Sequence, residues 1–169
     1  MLPAKFTLDD AERAYEEWGA NCGPGALAAA LGKTLDEVRP HLVGFEQKRY
    51  TNPTMMFGAL NTLGARWSGK HQPIDMLLLP AVGLIRVQWE GPWLKPGVPK
   101  AAAYGHTHWI AIGKAGDAKM IFDINCICDG GWVPWEEWSG EVAPWLIKES
   151  QPPRAYGTWH FTHVIAITQ

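Results

Sequence analysis

The sequence predicts an α+β fold, with helices dominating before about residue 65 and antiparallel strands after about residue 83. Two observations carry that reading. Apolar residues recur at helical spacing in the first part, as in Leu8, Ala11, Ala14, Tyr15 and Trp18, and alternate in the second, as in Ile85, Val87 and Trp89. Helix caps punctuate the first part, and glycine and proline turns the second.

In order along the chain, Thr7-Leu8-Asp9-Asp10 caps a helix running to about Trp18, with acids in its first turn. Cys22-Gly23-Pro24-Gly25 opens a second helix through Ala26-Leu27-Ala28-Ala29-Ala30-Leu31. Strong helix formers fill it and Gly32 closes it. Thr34-Leu35-Asp36-Glu37 is a capping box for a short helix toward Leu42, perturbed by Pro40. Asn52-Pro53 starts a helix through Leu63 that ends at Gly64, with Met56, Phe57, Leu60 and Leu63 on its core face. Residues 84–89 read as a strand. The stretch 91–105, with Pro92, Pro96 and Pro99, reads as a loop leading into the strand His106-Thr107-His108-Trp109-Ile110-Ala111-Ile112. Residues 114–118 form a turn into a further strand, Lys119 to Asn125, followed by a turn over 126–131. Glu136 to Lys148 suggests short helices interrupted by Pro144, and Trp159 to Ile167 is the last strand.

Length and composition bound the function. The chain has 169 residues, which suits one domain spanning 1–169. Hydrophobic residues make up 47% and charged residues 19%, an ordinary globular balance. Net charge is -2 with no Lys/Arg cluster, which argues against nucleic acid as the main partner. The longest apolar runs, such as Met76 to Val82, fall far short of a membrane span, and no basic segment precedes an apolar run at the N-terminus. Three cysteines, an odd number without an export signal, point to a reducing compartment, so the expected location is cytoplasmic. Ten tryptophans are many for this length. Trp132, Trp135, Trp138 and Trp145 crowd one late segment, either as core packing or as an aromatic wall.

Cys22 is the candidate nucleophile. At a helix N-terminus, unpaired N–H groups and the positive end of the dipole stabilise a thiolate. Two antiparallel strands joined by a short turn would bring Asp123 back alongside His108. A histidine takes the thiol proton, and a carboxylate fixes the tautomer and orientation of the ring. His108 is favoured over His106 because the apolar strand begins there and holds the ring. Cys126 and Cys128 are one residue apart with no second pair, which does not match structural zinc spacing. His160 and His163, at an odd offset on one strand, are expected to point to opposite faces. No metal or organic cofactor is implied.

A cysteine in a Cys-Gly-Pro turn opening a helix, then His108-Trp109-Ile110-Ala111-Ile112 on a strand, then Phe122-Asp123 on the next, resembles the papain-like cysteine peptidase superfamily. The nearest branch is the bacteriocin-processing (double-glycine leader) peptidases. The resemblance spans roughly Glu16 to Asn125. It implies a papain-like fold, with an N-terminal helical half packed on a C-terminal antiparallel sheet. It also implies a Cys22-His108-Asp123 triad acting on a peptide, isopeptide or related amide bond of a peptide or protein substrate. Asn125 is the alternative orienter, because members use Asp or Asn there. Acyl transfer to an amine would use the same triad. One position departs from the family pattern. Members commonly carry a glutamine six residues before the cysteine, where its amide serves the oxyanion; here that residue is Glu16. The Asn21 side chain and the Cys22 backbone N–H are substitute donors. Glu16 and the tryptophan-rich segment also motivate a different class: a papain-like fold kept as a binding or inhibitory module, for example a viral or prophage product engaging a host factor.

Overall fold

The computed structural model describes residues 5–71, 79–91, 93, 95–99, 106–149 and 156–168. Helix α1 (Leu8–Trp18) opens on a reciprocal cap. The Thr7 hydroxyl accepts the Asp10 N–H while the Asp10 carboxylate accepts the Thr7 N–H, and Gly19 ends the helix in the left-handed conformation. Helix α2 (Cys22–Leu31) is buried from Gly23 to Ala30. An apolar helix without a polar face belongs at the centre of a fold. Pro40 cuts α3 (Leu35–Val38) short, and the chain continues as a 3-10 turn over Arg39–His41. A short α4 (Phe45–Lys48) follows, then α5 (Pro53–Thr62), capped by Asn52 Oδ1 accepting the Met55 N–H at 2.8 Å.

The strands are β1 (Arg66–His71), β2 (Gly83–Glu90), β3 (Thr107–Ala115), β4 (Ala118–Phe122), β5 (Trp132–Pro134) and β6 (Thr158–Thr168). They form one six-stranded sheet in the order β1-β6-β2-β3-β4-β5, antiparallel throughout. Between β5 and β6 come α6 (Trp135–Glu137), a π turn over Trp138–Val142, and α7 (Ala143–Glu149). The π turn precedes Pro144, whose missing N–H an α ladder would require. The fold is therefore α+β.

Alternation along the strands builds two cores. Leu84, Trp109, Ala111, Phe122 and Ile165 face α1, α2 and α5. Ile85, Val87, Ile110, Ile112, Ile121 and Val164 face Trp138, Ala143 and Leu146 of the late helical segment. Both faces of the sheet are thus covered, where the sequence suggested a helical half on one side.

Further differences are local. Strands β1 and β5 and helix α4 were not expected. The strand expected over 119–125 stops at Phe122; Asp123 caps a 3-10 turn over Ile124–Asp129. On β6 the register shifts, so that Arg86 pairs with His163 and Val87 with Phe161. This bulge resets the alternation. His160 and His163 then oppose Gln88 and Arg86, two residues apart on β2, and share a face instead of opposing one another. Of the loop expected over 91–105, residues 92, 94 and 100–105 lie outside the described residues, as do Met76 to Leu78 of the apolar run. Among the described residues no helix is long and apolar enough to cross a membrane.

Candidate active site

Strand β4 leaves the first four residues of β3 uncovered. Its last residue, Phe122, pairs with Ala111, and Trp109 has no partner on that side. The N–H of Trp89 on β2 bonds to His106 O, which sets the ladder so that the Trp109 N–H points into this gap. The first residue of α2, Cys22, fills it. The thiol lies beside the His108 side chain and the Trp109 backbone N–H, both placed to stabilise its thiolate. The sulfur thereby lies beside the strand edge, where a ring carried by β3 can reach it.

His108 is buried, and its Nε2–H donates to Asp123 Oδ1 at 2.9 Å. That leaves Nδ1 for Cys22. Asp123 has no solvent exposure. Its Oδ1 also accepts the Asn125 backbone N–H at 2.9 Å and the Asn125 side-chain amide at 2.6 Å, and its Oδ2 accepts the Trp138 indole N–H at 2.7 Å. Asn125 thus braces the carboxylate. Its amide nitrogen stands 3.5 Å from His108 Nε2, whose proton already goes to Asp123.

The charges favour an ion pair. Burial opposes the Cys22 thiolate, yet the His108 hydrogen bond and charge, with the Trp109 N–H, hold the thiol below its ordinary value. Burial opposes the His108 imidazolium as well, but the Asp123 charge and hydrogen bond, then Cys22, raise it well above an ordinary histidine. Burial also opposes the Asp123 carboxylate, and the His108 charge with the bonds from Trp138 and Asn125 keeps it low. Cys126 shows the contrast. Burial, with Asp123, Glu137 and Asp129 nearby, pushes its thiol up to about 12. Cys128 is exposed.

The remaining sequence candidates lie outside this chain of hydrogen bonds. Glu16 is exposed on α1 and does not line the cavity beside Cys22. The Asn21 amide donates to Ala11 O at 3.2 Å, tying α2 to α1, and gives no side-chain cap to α2. The first-turn N–H of Cys22 remains as the donor for an oxyanion. His106 is exposed and its ring rests on Trp93, 4.4 Å between centroids. In the tryptophan-rich segment, Trp135 and Trp138 are buried and Trp132 half-buried, so most of it is core; Trp145 is exposed.

A cavity of about 190 Å3 adjoins the thiol, lined among others by Ala20, Phe45, Arg49, Tyr50, Thr107 and Trp109. Its wall is fixed by Thr51, whose carbonyl accepts the Trp109 indole N–H at 3.1 Å. A larger hollow of about 270 Å3, between His41 and Thr62, is lined by no thiol or carboxylate.

Sequence reasoning did not single out Trp138, Thr51 or the Trp109 N–H. Trp138 was one tryptophan in a crowded run, and its reach to Asp123 depends on the helical segment folding back over β4. The Trp109 N–H becomes available only because β4 stops at Phe122. Comparison with protein-family models and with curated proteins found no match for this chain.

Proposed function

We propose that the protein is a papain-like cysteine hydrolase acting on an amide bond of a peptide or protein. The observation that carries this is the Cys22 thiol at a helix N-terminus beside His108, whose ring Asp123 holds by a 2.9 Å hydrogen bond. The half-buried Cys22 thiolate attacks the scissile carbonyl carbon, forming a C–S bond and an oxyanion beside the Cys22 N–H. As the intermediate collapses, the His108 imidazolium gives its proton to the departing amine and the C–N bond breaks, leaving a thioester. Neutral His108 then takes a proton from water, whose oxygen attacks the thioester. The C–S bond breaks and the acid leaves, with the thiolate and imidazolium restored. An amine in place of water gives acyl transfer by the same steps. Asp123 keeps Nε2 protonated, so that Nδ1 is the nitrogen that exchanges protons. The short reach of β4 supports the same reading, because it opens the sheet edge where thiol and ring meet. A thiolate nucleophile and three free cysteines suit a reducing, cytoplasmic setting.

The test is iodoacetamide alkylation against pH, read by peptide mass spectrometry. Cys22 is expected to react at pH 6, where Cys126 does not. In His108→Ala the thiol loses its cation but stays half-buried, so its reaction at pH 6 should fall more than tenfold. Equal labelling of Cys22 and Cys128 at every pH would overturn the proposal.

A further inference from the structure

Among the described residues, backbone with positive φ falls on glycine at every position but one. The exception is Arg49, with φ 55°, at the C-terminal cap of α4. Elsewhere the helix caps Gly19, Gly32 and Gly130 take this conformation without the steric cost that a side chain brings. An arginine kept there is under strain that a glycine would relieve, and such positions gather at functional sites. Arg49 also lines the cavity that contains Cys22. Arg13 and Arg39 are both paired with carboxylates, whereas Arg49 shows no ion pair among the described residues. Lys48, its neighbour, faces a different hollow.

We propose that Arg49 selects substrates carrying a carboxylate next to the scissile bond, an inference that rests on Cys22 being the nucleophile. A guanidinium in this place offers forked donors that match a carboxylate. The ring of Tyr50 and the apolar floor made by Phe45, Ala20 and Trp109 suit the short aliphatic arm that would carry that group. The carboxylate belongs either to an Asp or Glu side chain or to a peptide C-terminus; both present the same two oxygens.

The test uses three alkylating probes on the whole chain, with Cys22 modification read by mass spectrometry. Chloroacetyl-glutamine amide is neutral. Chloroacetyl-glutamate amide carries a side-chain carboxylate, and chloroacetyl-glutamine carries a terminal one. At least one charged probe is expected to alkylate Cys22 about fivefold faster than the neutral probe, the scale of one partly exposed ion pair. Which of the two is faster identifies the source of the carboxylate. Arg49→Gly should abolish that preference and Arg49→Glu reverse it, while Lys48→Ala, with the same loss of charge, should keep it. Arg49→Gly should also raise the melting temperature, because glycine adopts the left-handed backbone freely. If Cys22 reacts but the preference is absent, or survives Arg49→Gly, the selectivity proposal falls and the nucleophile stands. If Cys22 resists all three probes and iodoacetamide, both fall together.

Discussion

Asp123, itself without solvent exposure, accepts four hydrogen bonds on its two oxygens, from His108, Trp138 and both nitrogens of Asn125. Asp123→Asn keeps the shape but removes the charge and sets an amide N–H against donors. Breaking one side of a buried ion pair costs about 3–5 kcal/mol. That cost should depend on pH in a defined sense. Folding raises His108, so its contribution is complete below the ordinary imidazole value of about 6.5 and fades as pH rises through the raised folded value. Folding lowers Asp123, so its contribution is complete above about 3.9 and fades as pH falls through the lowered value. The stability gap between the native chain and Asp123→Asn, measured by urea unfolding, should be widest between about pH 4 and pH 6.5 and narrow on both sides. A gap that ignores pH would show that the pair is not ionised in the folded protein.

The joint between α2 and the segment before α5 decides where the thiol sits. Gly23, in the first turn of α2, lies so close to Thr51 that a Cβ there would overlap its side chain. Thr51 in turn anchors the Trp109 indole. Gly23→Ala should therefore destabilise the fold by about 1–3 kcal/mol, the range for overpacking a tight contact. Because the displaced element carries Cys22, its alkylation should slow as well. Unchanged stability and unchanged alkylation would mean that Thr51 yields without moving α2. At this scale much was readable in the chain. The caps at Thr7, Thr34 and Asn52 are written in side chains that bond to their own neighbours, so local sequence specifies them. Cys22, His108 and Asp123 were legible for a related reason: a helix start and a hairpin are local structures that fix where those residues fall. Strand β1 was not legible. Arg66-Trp67-Ser68-Gly69-Lys70-His71 has little apolar alternation and owes its form to pairing with β6, about a hundred residues away. The end of β4 was misread because Ile124 continues the apolar run. Asp123 accepts the Asn125 N–H, and that short-range bond turns the chain out of the sheet.

Across the whole molecule, the proposed catalytic side chains are held between two cores that the sheet separates. Cys22 rides on α2 in the first; Trp138, which holds Asp123 from behind, belongs to the second. The strand side of the second core, Ile110 and Ile121, neighbours His108 and Asp123 in sequence, but its helical side lies on segments broken by a π turn, so no local pattern linked Trp138 to the site. The division makes a prediction about stability and chemistry together. Leu146 on α7 is 2% exposed and packs in the second core, while its neighbour Trp145 is 56% exposed. Leu146→Ala should cost about 2–5 kcal/mol, as large-to-small core substitutions do. Trp145→Ala should stay within about 0.5 kcal/mol, the usual bound for surface changes. The sharper outcome concerns Cys22, on the other side of the sheet. If the second core positions Trp138, loosening it frees the Asp123 carboxylate, weakens its hold on His108 and lets the Cys22 thiol drift back toward its ordinary value. Leu146→Ala, still folded at low temperature, should then need a higher pH to reach half its maximal rate of iodoacetamide alkylation. Trp145→Ala should show no such shift. A Leu146→Ala chain that is less stable but titrates Cys22 like the native protein would assign the site to the first core alone, with Trp138 a bystander to the chemistry.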